Sequence, residues 1–220
     1  MVSLTLAGLQ RRIVRCRRCP RLVGWRERVA RDKKREFRDW DYWGKPVPPF
    51  GDPRARLLVV GLAPAAHGGN RTGRMFTGDS SGNWLYAALH RFGFANQPNS
   101  TDRADGLRLR DCYITAAARC APPGNKPTTA ELDRCRPYLE IEITLLTRVQ
   151  VVVTLGRIAH DAWLKAAGWG RLPFGHGVET TLPDGTILIS SYHPSRQNTN
   201  TGRLTRSMWL RVFQRARQLV

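Results

Sequence analysis

Short apolar runs alternate along the chain with longer segments in which apolar residues recur at helical spacing. The run Leu57–Leu62 is continuous and rich in Leu and Val, which is typical of a strand buried on both faces. Similar runs predict three further strands, at Cys112–Ala116, Gln150–Leu155 and Ile187–Tyr192.

Segments with helical spacing separate these strands and flank them. They predict helices at Leu4–Val23, Gly82–Phe92, Thr129–Leu146, Arg157–Ala167 and Leu204–Val220, with Pro137 as a kink or break in the third. Residues 26–56 mix charges, aromatic residues and prolines and predict an irregular segment. Strands alternating with helices favour a three-layer α/β/α fold around a central, four-stranded, mainly parallel sheet. We expect one domain over residues 1–220, of which 1–56 form a basic N-terminal segment.

The loops after the predicted strands carry the residues of chemical interest. In an open parallel sheet, ligands bind outside the carboxyl ends of the strands. These loops are rich in Gly, Pro, Asn and His, which a purely structural connection does not require. Ala63, Asn125 and His193 each follow a different strand, and we therefore expect them to converge on one cleft.

Length and composition limit the class of protein. Apolar residues make up 41% of the 220 residues, which suffices for a packed core and excludes wholesale disorder. The apolar runs are far shorter than the roughly 20 residues that a membrane-spanning helix needs. No charged-then-apolar leader opens the chain, and five cysteines, an odd number, fit a disulfide framework poorly. We expect a cytoplasmic protein with no membrane association.

The net charge of +19 indicates a polyanionic partner. Residues 1–56 hold 16 basic and 6 acidic residues, and residues 195–220 hold 6 basic and no acidic ones. Of the 36 basic residues 31 are Arg, whose planar guanidinium grips phosphate with several donors. Nucleic acid is the first candidate partner. The alternative is that the Arg content reflects genome composition or adaptation to heat.

Four of the cysteines form a candidate metal site. Cys16 and Cys19 are close in sequence, in a C-x-x-C pattern, whereas Cys120 and Cys135 are separated by fourteen residues. Four thiolates suit Zn²⁺ or an iron–sulfur cluster. The wide second spacing argues against a zinc ribbon, in which both pairs are tight, and scattered free thiols are the alternative. Cys112 lies in a predicted strand and is expected to be a small buried apolar residue.

The glycine-rich loop over residues 61–82 matches neither the dinucleotide-binding pattern nor the P-loop. Its small residues would let backbone amides approach a planar ligand closely. Phe76 offers a face for stacking, with burial in the core as the alternative. Asp79 is a candidate catalytic carboxylate, with a helix N-cap as the alternative.

A His-Pro-Ser turn follows the last predicted strand, beginning at His193. The polar and basic residues at 196–206 could enter a DNA groove or press on phosphates. The alternative for His193 is an ordinary polar surface group.

In their order along the chain, these motifs resemble the uracil-DNA glycosylase superfamily, specifically its iron–sulfur branches. The matching segments are Gly61-Leu-Ala-Pro-Ala, Met75-Phe-Thr-Gly-Asp-Ser-Ser-Gly, Tyr113-Ile-Thr, Cys120-Ala-Pro-Pro-Gly-Asn-Lys-Pro, Cys135-x-Pro-Tyr-Leu and His193-Pro-Ser. The family 4 branch has an acidic residue where this chain has Leu62, and an Asn where it has Ala116. These departures resemble the type b, family 5 branch, which accepts a wider range of deaminated bases.

The resemblance implies a uracil-DNA glycosylase-like fold and a monofunctional enzyme of base-excision repair. Such an enzyme flips a deaminated base out of double-stranded DNA and hydrolyses its N-glycosidic bond. The implied cofactor is a structural 4Fe-4S cluster on Cys16, Cys19, Cys120 and Cys135. A monomer suffices for this chemistry, and a nucleoid-associated location follows from the substrate.

The resemblance also implies roles for single residues. Asp79 would position the water or stabilise the sugar cation, and His193 would donate a hydrogen bond to the leaving base. The base would be bound by Gly61, Ala63, Ala65, Phe76 and Asn125, and the DNA by Ser195, Arg196, Asn198 and Arg203. Two alternatives stay open: a non-catalytic metal-cluster module that binds DNA, and a strictly uracil-specific enzyme of the family 4 type.

Overall fold

The computed structural model describes residues 4–220, and within that range six strands form one sheet. The strands are β1 (Phe50–Gly51), β2 (Leu57–Gly61), β3 (Cys112–Ala116), β4 (Val151–Leu155), β5 (Val178–Thr181) and β6 (Ile187–Ser191). Their order across the sheet is β1-β3-β2-β4-β6-β5. The central strands β3, β2, β4 and β6 are parallel, and the edge strands β1 and β5 run antiparallel to their neighbours.

The predicted α/β class and mainly parallel sheet are confirmed, and the described sheet has two more strands than the predicted four. Both additional strands lie at the edges. β1 is only two residues long, and β5 alternates half-buried with exposed positions. Neither carries the continuous apolar run of a strand buried on both faces, and that run is the signal on which the prediction depended.

Helices cover both faces of the sheet. They are α1 (Leu6–Val14), α2 (Pro20–Asp32), α3 (Gly69–Thr72), α4 (Ser80–Arg91), α5 (Thr129–Leu145), α6 (Arg157–Ala166), α7 (Arg196–Asn200) and α8 (Arg206–Gln218), with 3-10 turns at Arg35–Phe37 and Pro123–Asn125. The predicted helix Leu4–Val23 is two helices, because α2 starts afresh at Pro20, a residue suited to the first helical position. α5 runs unbroken through Pro137.

Alternation along β2 divides the core between the two faces. Leu57 and Val59 pack with α4 and α8 on one face. Leu58 and Val60 pack with α6 and the end of α5 on the other, and α1 lies outside, against α5. Because helices cover both faces, the carboxyl ends of the parallel strands form the open edge where the loops meet.

Candidate active site

A cleft of about 710 Å³ lies at the carboxyl ends of the parallel strands. Its walls come from the loop after β2, from residues 75–81, from the turn after β3, from residues 193–197 and from residues 34–37. Most residues predicted to bind or act on a ligand line it, namely Ala63, Ala65, Phe76, Asp79, Asn125, His193, Ser195 and Arg196. The loops after three different strands therefore meet in one cleft.

Asp79 is both a helix N-cap and a cleft residue. Its Oδ1 accepts a hydrogen bond of 2.9 Å from the Gly82 N–H, which fixes the carboxylate at the start of α4. Gly68 makes room for this carboxylate, since a Cβ at Gly68 would lie 2.2 Å from Oδ2. Burial raises the pKa of Asp79, and the α4 amides, Arg71 and Arg196 oppose that shift. A partly desolvated carboxylate of this kind is suited to orient a water or accept its proton.

His193 follows β6, lines the cleft and is half-buried. The Asn198 side-chain amide and the Ser195 N–H donate to its carbonyl oxygen, at 2.9 and 2.8 Å. Burial lowers the pKa of the His193 imidazole to about 4. The ring is therefore neutral at physiological pH and carries one N–H that it can donate.

Phe76 holds its ring over the end of β2. Its φ of +52° is a left-handed value, which costs a non-glycine residue about 1–3 kcal/mol. Gly61 lies directly beneath the ring, because a Cβ there would be 2.6 Å from the Phe76 Cζ. The ring centroids of Phe76 and His193 are 6.2 Å apart, with 29° between their planes. Gly61, predicted to contact the substrate, thus supports the aromatic ring from behind and is not on the cleft wall.

Asn125 ends the 3-10 turn Pro123–Asn125 after β3. Its φ is +57°, a conformation that Asn tolerates better than most residues. The same loop is anchored by Arg119, whose buried guanidinium donates to the Glu142 carboxylate on α5 at 2.6 Å. Asn125 itself is exposed and lines the cleft.

The predicted DNA-contacting residues fall into two groups. Ser195 and Arg196 line the cleft, and Ser195 caps α7 by accepting from the Asn198 N–H at 3.3 Å. Asn198 and Arg203 are not part of the cleft wall. The Asn198 amide donates to the His193 carbonyl, and the exposed Arg203 guanidinium lies 4.8 Å from the centre of the Tyr192 ring. The polar segment after His193 therefore folds back as α7, and Asn198 braces the loop that carries the imidazole.

One wall of the cleft was not predicted. It comes from Lys34, Glu36 and Phe37, in the segment expected to be irregular. His67 also lines the cleft, and its Nδ1 lies 3.0 Å from the Tyr42 hydroxyl. The only sequence signal was the interleaving of aromatic and basic residues at 33–45, which does not by itself connect this segment to a cleft.

The four predicted metal-ligating cysteines line a second, small cavity of about 20 Å³. All four are free thiols: Cys16 and Cys19 lie between α1 and α2, Cys120 follows β3, and Cys135 lies in α5. Buried Arg26 donates from Nη1 to the Cys120 Sγ at 2.9 Å, a contact that favours a thiolate. Over residues 4–220, no three His, Cys, Asp or Glu side chains are grouped as a site for a single metal ion.

The donor set nevertheless fits an iron–sulfur cluster. Such clusters are held by Cys thiolates, each on its own iron, so that the four sulfurs surround a volume without sharing one ion. The buried guanidinium of Arg26 also lines this cavity and adds a positive charge beside the thiols. Cys112 is fully buried in β3, as its position in an apolar run predicts.

Comparison with known proteins decides the family. The family model of the Uracil DNA glycosylase superfamily matches residues 48–217. The chain belongs to the uracil-DNA glycosylase superfamily. The resemblance drawn from the order of the motifs is therefore confirmed.

The relatives also distinguish between branches of the uracil-DNA glycosylase superfamily. A Type-5 uracil-DNA glycosylase of Mycobacterium tuberculosis (strain CDC 1551 / Oshkosh) is 55% identical over 208 residues, covering 93% of this chain and 78% of that protein. One of Thermus thermophilus is 55% identical over 206 residues, covering 93% of each chain. A Type-4 uracil-DNA glycosylase of Pyrobaculum aerophilum is 31% identical over 156 residues, covering 68% of this chain and 71% of that protein. The higher similarity is to the Type-5 proteins.

The superfamily match begins at residue 48, after α1 and α2. Cys16 and Cys19 lie in the connection between these two helices, and α1 packs on α5 of the matched part. In the part of the chain that the structure describes, every helix is too short or too polar to cross a membrane.

Proposed function

We propose that this chain is a DNA-repair glycosylase that hydrolyses the bond between deoxyribose C1′ and uracil. The observation that carries the proposal is the shared cleft of Asp79, His193 and Phe76 at the carboxyl ends of the sheet. The relatives at 55% identity are named uracil-DNA glycosylases, which supports the same activity here.

The substrate base would enter the cleft by leaving the DNA stack, since its glycosidic bond is out of reach inside a duplex. The cleft of about 710 Å³ has room for an everted nucleotide. Phe76 would stack on the base, while the backbone at Ala63 and Ala65 and the Asn125 amide contact its edge. The strain stored at Phe76 supports this role, because strained residues persist where the surroundings hold them for function.

Bond cleavage would make the sugar cationic and the leaving base anionic. The Asp79 carboxylate would orient the attacking water and stabilise the sugar cation. As the water oxygen bonds to C1′, its proton would pass to Asp79 and finally to the departing base anion. Neutral His193 would donate its N–H to the oxygen of the base as negative charge develops there. A donor placed in this way can contribute about 2.7–4 kcal/mol to the transition state.

The substrate range would include other deaminated bases. Ala116, at the end of β3, has no side-chain amide that could reject a purine or a larger pyrimidine. The enzyme would be monofunctional. Lys126 is absent from the cleft wall, and Lys34, which does line the cleft, has its ammonium paired with Glu36 at 2.7 Å. Base release without strand cleavage is therefore expected.

The partner would be double-stranded DNA bound by a single copy of this chain. The charge of +19 and the exposed Arg196 at the cleft favour a grip on phosphates that weakens with salt. The packing of α1 on α5 supports one domain that includes the N-terminal segment. Free cysteines and a DNA substrate favour an intracellular, nucleoid-associated location.

A 4Fe-4S cluster would be held by Cys16, Cys19, Cys120 and Cys135. It would have a structural role, joining the N-terminal helices to the loop after β3 and to α5. The purified protein should be brown, with a visible absorption band that is lost in Cys135→Ser. Cys112→Ala, a change at a buried cysteine in β3, should keep the band. A colourless protein that contains zinc would contradict the cluster.

The function is tested with duplexes that each contain one uracil, hypoxanthine or xanthine, followed by alkaline cleavage of abasic sites. Release of uracil and at least one purine is expected. Release of uracil alone would indicate a uracil-specific enzyme, and binding without release would indicate a non-catalytic DNA-binding module. A covalent complex trapped by borohydride would contradict the monofunctional assignment.

A further inference from the structure

Arg71 lies beneath the catalytic cleft, on the short helix α3, and is only 3% exposed. Its Nε donates to the carbonyl oxygen of His67 at 2.7 Å, and its Nη2 donates to that of Gly78 at 3.1 Å. His67 and Gly78 both line the cleft. One guanidinium therefore ties together the two ends of the loop that runs from the cleft wall to Asp79.

The N-terminal segment places two aromatic rings against this guanidinium. The Arg71 Cζ lies 3.9 Å from the centre of the Phe37 ring and 4.0 Å from that of Trp40. The Trp43 N–H donates to the Arg71 carbonyl oxygen at 2.9 Å, so the backbone is fixed as well. The two ring planes are nearly perpendicular, at 79°, so the rings contact the guanidinium from two different directions and restrict its orientation.

Arg71 differs from the other buried arginines nearby in having no carboxylate partner. Arg74 pairs with Asp105, and Arg119 pairs with Glu142. Within residues 4–220 Arg71 makes no ion pair, and its buried Nη1 has no hydrogen-bond partner. A buried cation without a partner is destabilising. Stability therefore does not explain why Arg71 occupies this position.

The Arg71 charge acts on the carboxylates of Asp102, Asp79 and Glu36, and of these Asp79 is the one whose backbone neighbour, Gly78, Arg71 also contacts directly. Asp79 follows Gly78 directly, and Gly78 has a φ of +76° with the Arg71 Nη2 only 2.3 Å from where a Cβ would stand. The charged groups that face the Asp79 carboxylate are Arg71 from α3 and Arg196 from α7, and the amides of Ser81 and Gly82 face it from α4. Arg196 is exposed and screened by solvent, whereas Arg71 is buried, so the field of Arg71 is the stronger.

We propose that Arg71 is a positioning residue for Asp79, which it orients through the Gly78 carbonyl and to which it presents a fixed, buried positive charge. This inference rests on the proposed function, in which Asp79 acts on the water or the sugar. The aromatic pair Phe37 and Trp40 makes the orientation possible, which gives the N-terminal segment a part in the active site.

The test compares Arg71→Gln and Arg71→Lys with the unchanged protein in single-turnover base release from a uracil duplex, over a range of pH. Arg71→Gln loses the charge and is expected to slow release about 100-fold, the scale of a small misplacement at a reacting centre. It should also move the acidic limb of the pH profile to higher pH, because an unopposed Asp79 takes up a proton more readily. Arg71→Lys keeps a charge but not the planar fork, and should slow release while leaving the limb in place.

Coupling to Asp79 distinguishes positioning from a merely structural role. In the Asp79→Asn background, Arg71→Gln should slow release little further, since the group that it serves is gone. An equal loss in both backgrounds, or an unmoved acidic limb in Arg71→Gln, would overturn the proposal. If Arg71→Gln does not fold, Arg71→Lys carries the same coupling test. Failure of the unchanged protein to release any base would instead overturn the proposed function.

Discussion

The Ser81 Oγ donates a hydrogen bond of 2.9 Å to the carbonyl oxygen of Pro194. Ser81 lies in the first turn of α4, which Asp79 caps, and Pro194 follows His193. This bond joins two loops that are 113 positions apart in the chain. This bond therefore fixes the proposed catalytic carboxylate and imidazole relative to one another by linking the first turn of α4 to the loop after β6.

Asp79→Asn tests the carboxylate without removing the helix cap, because Asn is as good an N-cap as Asp. We expect base release in single turnover to slow by about 100-fold or more, with an unchanged unfolding temperature. Binding to abasic duplex should persist. Asp79→Ala is the matched variant that also loses the cap, and it should unfold more easily by about 1 kcal/mol. A release rate unaffected in both variants would remove Asp79 from the mechanism.

The state of His193 can be tested through the pH profile of base release. Since burial lowers the pKa of His193 to about 4, the ring is neutral throughout the range in which a free histidine titrates. We expect the pH profile of the unchanged protein to show no inflection near pH 6.5, and the profile of His193→Asn to have the same shape there. That variant should slow release by about 100–1,000-fold at pH 7 and pH 8 alike. A change in rate near pH 6.5 that disappears in His193→Asn would mean that the protonated imidazole takes part in the reaction.

The same pKa has a consequence for stability. Between pH 6.5 and about pH 4, His193 is protonated in the unfolded chain but neutral in the folded chain. His193 therefore favours the folded state fully above pH 6.5, and this contribution is lost as the pH falls toward 4. The urea midpoints of the unchanged protein and His193→Asn are measured at pH 7.5 and pH 4.5. Lowering the pH should reduce the midpoint of the unchanged protein more than that of the variant. An equal difference at both values would contradict burial of the ring.

Gly68→Ala should displace Asp79, because the new Cβ would stand 2.2 Å from its Oδ2. We expect base release to slow about 100-fold while binding to abasic duplex is kept. Gly170→Ala is a suitable control, since no atom lies within 4 Å of a Cβ at that position. Similar rates of base release for the two variants would show that the rate does not depend on the present position of the Asp79 carboxylate.

Arg196→Ala tests the phosphate contacts at the cleft. Arg196 is exposed and lines the cleft, so its loss should weaken binding to duplexes of any sequence. The slope of log affinity against log salt should fall by about 1. Arg148→Ala removes another exposed charge, just before the amino end of β4 and away from the cleft, and should leave the slope unchanged. An equal change in both variants would indicate only the effect of net charge.

Much of the fold follows from local patterns. The apolar runs of β2, β3, β4 and β6 are strong because these strands are buried on both faces. β5 escaped prediction because an edge strand needs no such run. The break between α1 and α2 was missed because apolar spacing continues across it, although Pro20 marks the start of the second helix.

The candidate site, like the fold, has a part that local sequence patterns predict and a part that they do not. The loops after the parallel strands indicate where chemistry takes place, because strand direction alone brings their carboxyl ends together, and motif order indicates the family. Which side chains meet across distant segments depends on packing that local patterns do not encode. Only the folded chain places Gly61 beneath Phe76, turns the Asn198 amide onto the His193 carbonyl, and sets the Arg71 guanidinium against the rings of Phe37 and Trp40. The physical reason is that neighbours along the chain determine backbone conformation, whereas the burial, charge and orientation of a reactive group are determined by neighbours in space.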